Sequence, residues 1–154
     1  MNDNLKIALE ELGVDFINEL TNQLLAADKK ATGQLISSLN YKVVDVLDNL
    51  LLTISAEPYL KFIDEGRKPG KMPPSQVFFK WIDARGIVFK NNKGKIIKKE
   101  STAFLIARSI GKKGIKPTNV IRKTIDKIYS TKTQLLEKAA AKDIQALIQK
   151  ILVT

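Results

Sequence analysis

The stretch Gly66-Arg67-Lys68-Pro69-Gly70-Lys71-Met72-Pro73-Pro74 combines two glycines, three prolines and three basic residues. Proline fixes φ at about −65° and glycine opens positive φ, so the stretch has few conformations yet cannot continue a helix or a central strand. It lies between two apolar, aromatic segments, residues 59–65 and 77–82. The pattern predicts a stiff basic loop that is held against the core and presented at the surface. A plain connector with solvated charges is the alternative interpretation.

The composition around this loop is that of a globular protein. The chain has 154 residues, of which 44% are hydrophobic and 27% charged, and this predicts a single domain over residues 1–154. No apolar run is long enough to cross a bilayer, and the acidic residues Asp3 and Glu10 do not fit a signal peptide. We therefore expect an intracellular protein, or one assembled inside a cell, with no membrane partner.

Cysteine and histidine are both absent, which excludes thiol chemistry, His-based triads and Cys-ligated zinc. An enzyme would depend on carboxylates and lysine, and a carboxylate-dependent hydrolase is the one enzyme class left open. Adjacent Asp64 and Glu65 would diverge on a helix, which favours ion pairs with Arg67 or Lys68 over a facing acid/base pair. Met72 stands where a phosphate-binding loop needs a hydroxyl. We expect no catalysis, cofactor, metal or small-molecule substrate.

Charge is unevenly distributed along the chain. Residues 1–60 hold 4 Lys and Arg against 9 Asp and Glu, whereas residues 61–123 hold 17 against 4, within a total of +10. An acidic first third beside a basic middle indicates a molecule that stacks head to tail with its copies or meets an anionic polymer.

The N-terminal half predicts a helix and a hairpin. Apolar residues recur at helical spacing over residues 4–28, and Gly13 inside that helix indicates a bend or close packing. Strand-like runs at 41–47 and 50–56, separated by a turn at Asp48-Asn49, predict an antiparallel hairpin. A short helix over 57–65 follows, with three residues predicted to face inward: Tyr59, Phe62 and Ile63.

After the loop, Ser75 is predicted to cap a helix over about 76–85, with Gly86 ending it and an inward face of Val77, Phe78, Trp81 and Ile82. The basic segment 87–99 predicts an exposed hairpin turning at residues 91–94, or a mobile arm.

The C-terminal half predicts two more helical regions. Ser101 or Thr102 caps a helix over about 102–111 with an inward face that includes Phe104, and residues 111–117 form a second rigid basic loop. Residues 118–152 carry a long apolar stripe, with a predicted break between two helices at 130–133 and a last helix over 131–152 that projects or packs on a neighbour. The fold class is therefore α+β, with an N-terminal amphipathic helix, a small antiparallel sheet and a long C-terminal helical segment.

The order of these pieces resembles the tail-completion, or head–tail joining (neck), proteins of tailed bacteriophages. The resemblance lies in Thr32-Gly33-Gln34-Leu35-Ile36-Ser37-Ser38 after the first helix, and in Tyr59 to Gly66 after the strands. Those proteins typically carry Thr-Gly-x-Leu-x-x-Ser and a Tyr-x-x-apolar-apolar-x-x-Gly motif at these places. The continuation is similar to a longer phage subgroup, up to about residue 125, through Trp81-Ile82, Arg85-Gly86-Ile87, 103–107 and 114–117.

The resemblance implies a virion structural protein without catalysis, assembled in the host cytoplasm. Such a protein forms a ring in the neck between the portal, or its adaptor, and the tail. Its partners would be its own copies and other neck and tail proteins, with non-specific contact to genomic DNA in the channel left open. The matched motif positions are Thr32, Gly33, Leu35, Tyr59, Glu65 and Gly66. Segment 87–99 and the long C-terminal helix depart from the shorter members of the family.

Rings use two different patches on each subunit, which an acidic and a basic region could supply. We therefore expect Arg67, Lys68 and Lys71 to bind an acidic patch on an adjacent subunit or ring. The full predicted interface is Arg67, Lys68, Lys71, Met72, Lys112, Lys113 and Lys116. The competing hypothesis is a nucleic-acid-binding module over residues 67–123, although the periodicity of the aromatic residues there favours the core over a stacking surface.

Overall fold

The computed structural model describes residues 3–27, 33–46 and 49–152, and it confirms the α+β fold class. The helices of the described residues are α1 (Asp3–Ala26), α2 (Gln34–Ser38), α3 (Leu60–Asp64), α4 (Phe79–Arg85), α5 (Lys99–Lys113) and α6 (Val120–Leu152). The strands are β1 (Asn40–Val46) and β2 (Asn49–Ser55), and a 3-10 turn covers Ser75–Phe78.

The chain divides into two compact units. The first consists of Met1–Ala26, Ser38–Glu57 and Val120–Thr154, and the second of Ala27–Ser37 and Pro58–Asn119. The first unit contains α1, the hairpin and α6, whereas the second contains α3, α4 and α5. That residues 1–154 form a single domain stays a prediction.

In the first unit α1 and α6 form an antiparallel pair. In the second half of α1, Glu19 Oε2 lies 2.6 Å from Nζ of Lys127 on α6. One turn earlier along α1, Asp15 Oδ2 lies 2.6 Å from Nζ of Lys132. At the start of α1, the Leu5 backbone N–H donates to Asp143 at 2.9 Å. Polar contacts therefore fix the register of the two helices along most of α1, beside the buried side chains of Leu20 and Leu24.

Glu19 is buried in this helix pair, with only 8% of the residue exposed to solvent. The hydrogen bond from the Lys127 ammonium, and then the bond from the Gln23 amide, hold the pKa of Glu19 below its ordinary value. The bond to Asp15 correspondingly raises the pKa of Lys132.

The hairpin packs against α1 where the helix lacks a side chain. Strands β1 and β2 pair antiparallel from Asn40↔Ser55 to Val46↔Asn49, which confirms the predicted antiparallel pairing. The predicted turn at Asp48-Asn49 is wrong at Asn49, which is the first residue of β2, and Asp48 lies outside the described residues. A Cβ at Gly13 would overlap the ring of Tyr41 on β1. The prediction of close packing at Gly13 is therefore confirmed.

Helix α6 runs through residues 120–152 as a single helix, so the predicted break at 130–133 is wrong. The hydroxyl of Thr131 donates to the Lys127 carbonyl at 2.8 Å, and the Thr133 hydroxyl donates to the Tyr129 carbonyl. Hydroxyl residues tolerate a helix interior when they bond back to the preceding turn in this way.

The second unit corrects several predicted inward faces. In α3 the buried residue is Leu60, whereas Tyr59 and Phe62 are exposed instead of inward. Ser75 begins a 3-10 turn rather than capping a helix, and Val77 on that turn is exposed. Ile82 is buried and Gly86 ends α4 at φ 59°, both as predicted.

The segment between α4 and α5 turns at the predicted residues. The Gly94 N–H donates to the Asn91 carbonyl at 2.9 Å, and a single bridge pairs Lys90 with Ile96. The segment is a narrow hairpin with exposed lysines at its tip.

Helix α5 is longer than predicted at both ends. It begins at Lys99, so Ser101 and Thr102 are not caps, and Thr102 is buried inside the helix. Ala103 and Ala107 form its buried face, whereas Phe104 is exposed instead of inward. The helix continues to Lys113, which places Lys112 and Lys113 on its last turn and not in a loop.

Candidate functional site

The two basic segments singled out in the sequence meet in the second unit. The Arg67 N–H donates to the Ile115 carbonyl at 2.8 Å, and the Ile115 N–H donates to the Arg67 carbonyl at 2.7 Å. This reciprocal pair is an isolated antiparallel bridge. We call the joined segments, residues 66–74 and 111–117, the basic clasp.

A second backbone bond ties the clasp to the end of α5. The Gly70 N–H donates to the Gly111 carbonyl at 2.8 Å, which satisfies one of the carbonyls that a helix leaves unpaired in its last turn. The Gly114 N–H closes the helix by donating to the Ile110 carbonyl at 2.8 Å. The first loop therefore acts as part of the C-terminal cap of α5.

Glycine is required where the two segments touch. Gly114 has φ 72° and ψ −163°, a conformation that only glycine adopts readily, and a Cβ there would overlap the Arg67 carbonyl oxygen. Gly66 has φ 74°, and a Cβ there would lie 2.5 Å from the Ile115 carbonyl oxygen. A Cβ at Gly111 would lie 3.2 Å from the Met72 Cα. The two backbones are in direct contact.

Residues just after the clasp anchor it to α3. The Thr118 hydroxyl donates to the Ile63 carbonyl at 2.7 Å, and the Asn119 N–H donates to the Asp64 carbonyl at 3.0 Å. These bonds satisfy the last two carbonyls of α3, two and three residues before Gly66. The clasp is thus held by backbone bonds at α3 and at α5, which makes it a rigid surface.

The clasp exposes most of the predicted interface. Lys68, Lys71, Met72, Lys112, Lys113 and Lys116 are all exposed. Arg67 is half-buried, and its guanidinium donates to the Lys71 carbonyl at 2.5 Å, so it braces the loop across residues 67–71. Lys112 and Lys113 lie at the negative end of the α5 dipole, where cations are stabilising.

The family-motif positions differ in burial and in contacts. Leu35 is buried, Gly33 has φ 71° and its carbonyl accepts the Ser37 N–H, and Gly66 is pinned inside the clasp. Tyr59 is exposed, and Glu65 pairs with Lys61 at 3.9 Å instead of the predicted Arg67 or Lys68. Thr32 lies outside the described residues.

The aromatic residues of the second unit are less buried than their periodicity predicts. Phe89 and Phe104 are exposed, and Phe78, Phe79 and Trp81 are half-buried. Two of the half-buried rings have a cation over their face. Lys99 Nζ lies 5.5 Å from the centre of the Phe79 ring, and Arg85 Cζ lies 6.0 Å from the centre of the Trp81 ring.

The positive net charge of the protein is concentrated in the second unit. By sequence the second unit holds 17 Lys and Arg against 5 Asp and Glu, a net charge of +12, whereas the first holds 9 against 11, a net charge of −2. Charge therefore segregates with the structural division as well as along the chain, where residues 1–60 hold 4 Lys and Arg against 9 Asp and Glu and residues 61–123 hold 17 against 4.

Sequence reasoning missed the residues that join the clasp. It recognised two basic loops of similar composition, but Ile115 and Thr118 carry no local signal for pairing with residues about fifty positions earlier. It also missed the outer face of α5, where Arg108 lies four residues before Lys112. Helical spacing of exposed basic residues beside Phe104 and Leu105 could have indicated that face.

Comparison with known proteins returned no match to a family model, to a curated protein or to a solved structure. Over residues 3–27, 33–46 and 49–152, no helix is long and apolar enough to span a membrane. The same described residues contain no cluster of three or more Asp and Glu side chains arranged to hold a metal ion.

Proposed function

We propose that this chain is a structural protein of a tailed-bacteriophage virion, a ring-forming connector or tail-completion component of the neck. It would join the portal or its adaptor to the tail, with the basic clasp as the surface on which a neighbouring protein docks. The role involves no catalysis and no cofactor. Assembly would take place in the host cytoplasm, and the mature location would be the virion neck.

The observation that carries the proposal is the rigidity and exposure of the clasp. A surface that is already ordered loses little conformational entropy on docking, which favours a permanent structural contact. The clasp exposes Met72 together with its lysines, a combination of charge and adaptable apolar surface suited to a protein partner. The burial of Leu35 and the place of Gly66 in the clasp give two of the six motif positions a structural reason.

Charge reversal at the clasp tests this role. We expect Lys68→Glu, Lys71→Glu and Lys113→Glu together to block joining, so that filled heads and separate tails accumulate in the phage that encodes the chain. Arg67 is left unchanged because its guanidinium braces the loop. The matched control reverses three exposed lysines elsewhere, Lys80, Lys138 and Lys142. Normal tailed particles from the clasp variant, counted by electron microscopy, would remove the proposed role.

One observation favours a second candidate, a nucleic-acid-binding module. The +12 unit also exposes aromatic rings, and basic grooves with exposed aromatics bind single strands by stacking. This candidate predicts that the purified protein retains DNA at low salt and releases it steeply as salt rises. Rings that persist at high salt without DNA would favour the connector.

A further inference from the structure

Two helix faces of this protein are exposed and complementary to each other. The first is the outer face of α1, defined by Asp3, Ile7, Glu10 and Val14, whose spacing places them along one side of the helix. Ile7 is 64% exposed and Val14 44% exposed. Asp3 and Glu10 form no ion pair with another described residue, unlike Asp15 and Glu19 on the side that meets α6.

The second is the outer face of α5, defined by Phe104, Leu105, Arg108 and Lys112. Phe104 is 47% exposed and Leu105 41% exposed, and Arg108 and Lys112 follow at one-turn spacing. Neither basic residue forms an ion pair within the described part of the chain. This face runs into the basic clasp, because Lys112 belongs to both.

The two faces match in length and in chemistry. Phe104 to Lys112 covers about 12 Å of helix and Asp3 to Val14 about 16 Å, at about 1.5 Å per residue. Each face carries two large apolar side chains and two charges, which alternate on α1 and follow the apolar pair on α5. The charges are acidic on α1 and basic on α5. Their units carry net charges of −2 and +12, so the long-range field also favours this encounter.

We propose that the outer face of α5 binds the outer face of α1 on a second copy of this chain. The acidic patch expected opposite the clasp is then Asp3 and Glu10 of the neighbouring subunit. Because the two faces differ, each copy offers one of each, and the contact is heterologous and able to close a ring. The inference deepens the proposed function and rests on it only for the place of the ring in a virion.

The test is a charge swap in the purified full-length protein, with oligomeric mass followed against concentration by mass photometry and sedimentation. We expect Glu10→Lys and Arg108→Glu each to weaken self-association on the order of tenfold or more. The combination of Glu10→Lys with Arg108→Glu restores an opposite pair across the contact and should recover most of the association. Matched controls at exposed positions, Glu137→Lys and Lys80→Glu, should leave it unchanged.

Circular dichroism of each variant separates loss of contact from loss of fold, and recovery in the double variant does so independently. A wild-type chain that stays monomeric, or a double variant weaker than either single one, overturns the inference. So does association that appears only with added DNA and ignores the swap. A swap-sensitive oligomer absent from phage necks would support the inference and defeat the proposed function, whereas a neck ring without an α1–α5 contact would do the reverse.

Discussion

At the scale of single residues, the clasp depends on a glycine in a conformation closed to other residues. Gly114 has φ 72° and ψ −163°, and its α-hydrogen faces the Arg67 carbonyl oxygen. Gly114→Ala must therefore strain the backbone and also displace the first loop. We expect a loss of roughly 3 kcal/mol or more in unfolding free energy. Urea unfolding followed by the fluorescence of Trp81, the single tryptophan, measures it.

Gly94 supplies the matched control for that change. It has φ 75°, but a Cβ there would meet nothing within 4 Å. Gly94→Ala should therefore cost only the backbone strain, about 1–2 kcal/mol. Equal losses in the two variants would show that the contact between the two clasp segments does not stabilise the protein.

At the residue scale, the sequence predicts burial correctly at some positions and wrongly at others. Leu20, Leu24 and Ile82 are buried as their periodicity predicts, because each belongs to an apolar stripe. Phe62 and Phe104 were expected inward and are exposed. Apolar residues are common on protein surfaces, so periodicity identifies a face without fixing how far it extends around the helix.

At the scale of elements, the α1–α6 pair depends on the Glu19 carboxylate. Its folded-state pKa lies below the ordinary value of 4.5, so the carboxylate stabilises the fold above that pH. This contribution is lost as pH falls through the lowered folded-state pKa. Glu19→Gln should cost roughly 1–2 kcal/mol at neutral pH. It should also flatten the pH dependence of stability, measured by circular dichroism during urea unfolding.

Glu11 tests whether that effect is specific to Glu19. Glu11 lies 3.7 Å from Lys132 but its side chain is 53% exposed, and exposed ion pairs contribute little. Glu11→Gln should therefore leave the free energy of unfolding at neutral pH nearly unchanged. A Glu19→Gln profile that parallels the wild type below pH 4.5 would contradict the role given to Glu19.

The elements themselves were largely predictable, but their junctions were not. Helix α1 and the antiparallel pairing of β1 with β2 follow from apolar spacing and from turn residues between the strands, which are local signals. The register was not predicted, because Asn49 belongs to β2 and pairs with Val46 instead of lying in the turn. The continuity of α6 was missed because Thr131 and Thr133 look like helix breakers until their hydroxyls bond the preceding turn. The clasp was missed as a unit because backbone pairing between Arg67 and Ile115 has no signature in composition.

At the scale of the whole molecule, the division of charge gives the protein its polarity. The unit with a net charge of +12 contains the clasp and the outer face of α5, and the unit with a net charge of −2 contains the outer face of α1. Such a distribution disfavours contacts between like units of two copies and favours contacts between unlike ones. For the same reason, we expect salt to slow the first encounter of two copies strongly. Salt should affect the assembled contact less, because the apolar residues are buried there.

The most direct measurement is electron cryomicroscopy of the neck of the phage particle that encodes this chain. The central claim is that the basic clasp is a docking surface for protein in a ring. We expect a ring of this chain in which Lys68, Lys71 and Met72 are covered by a neighbouring protein subunit. A map in which the clasp faces open solvent or only DNA, or in which the chain is absent from the neck, would contradict the account.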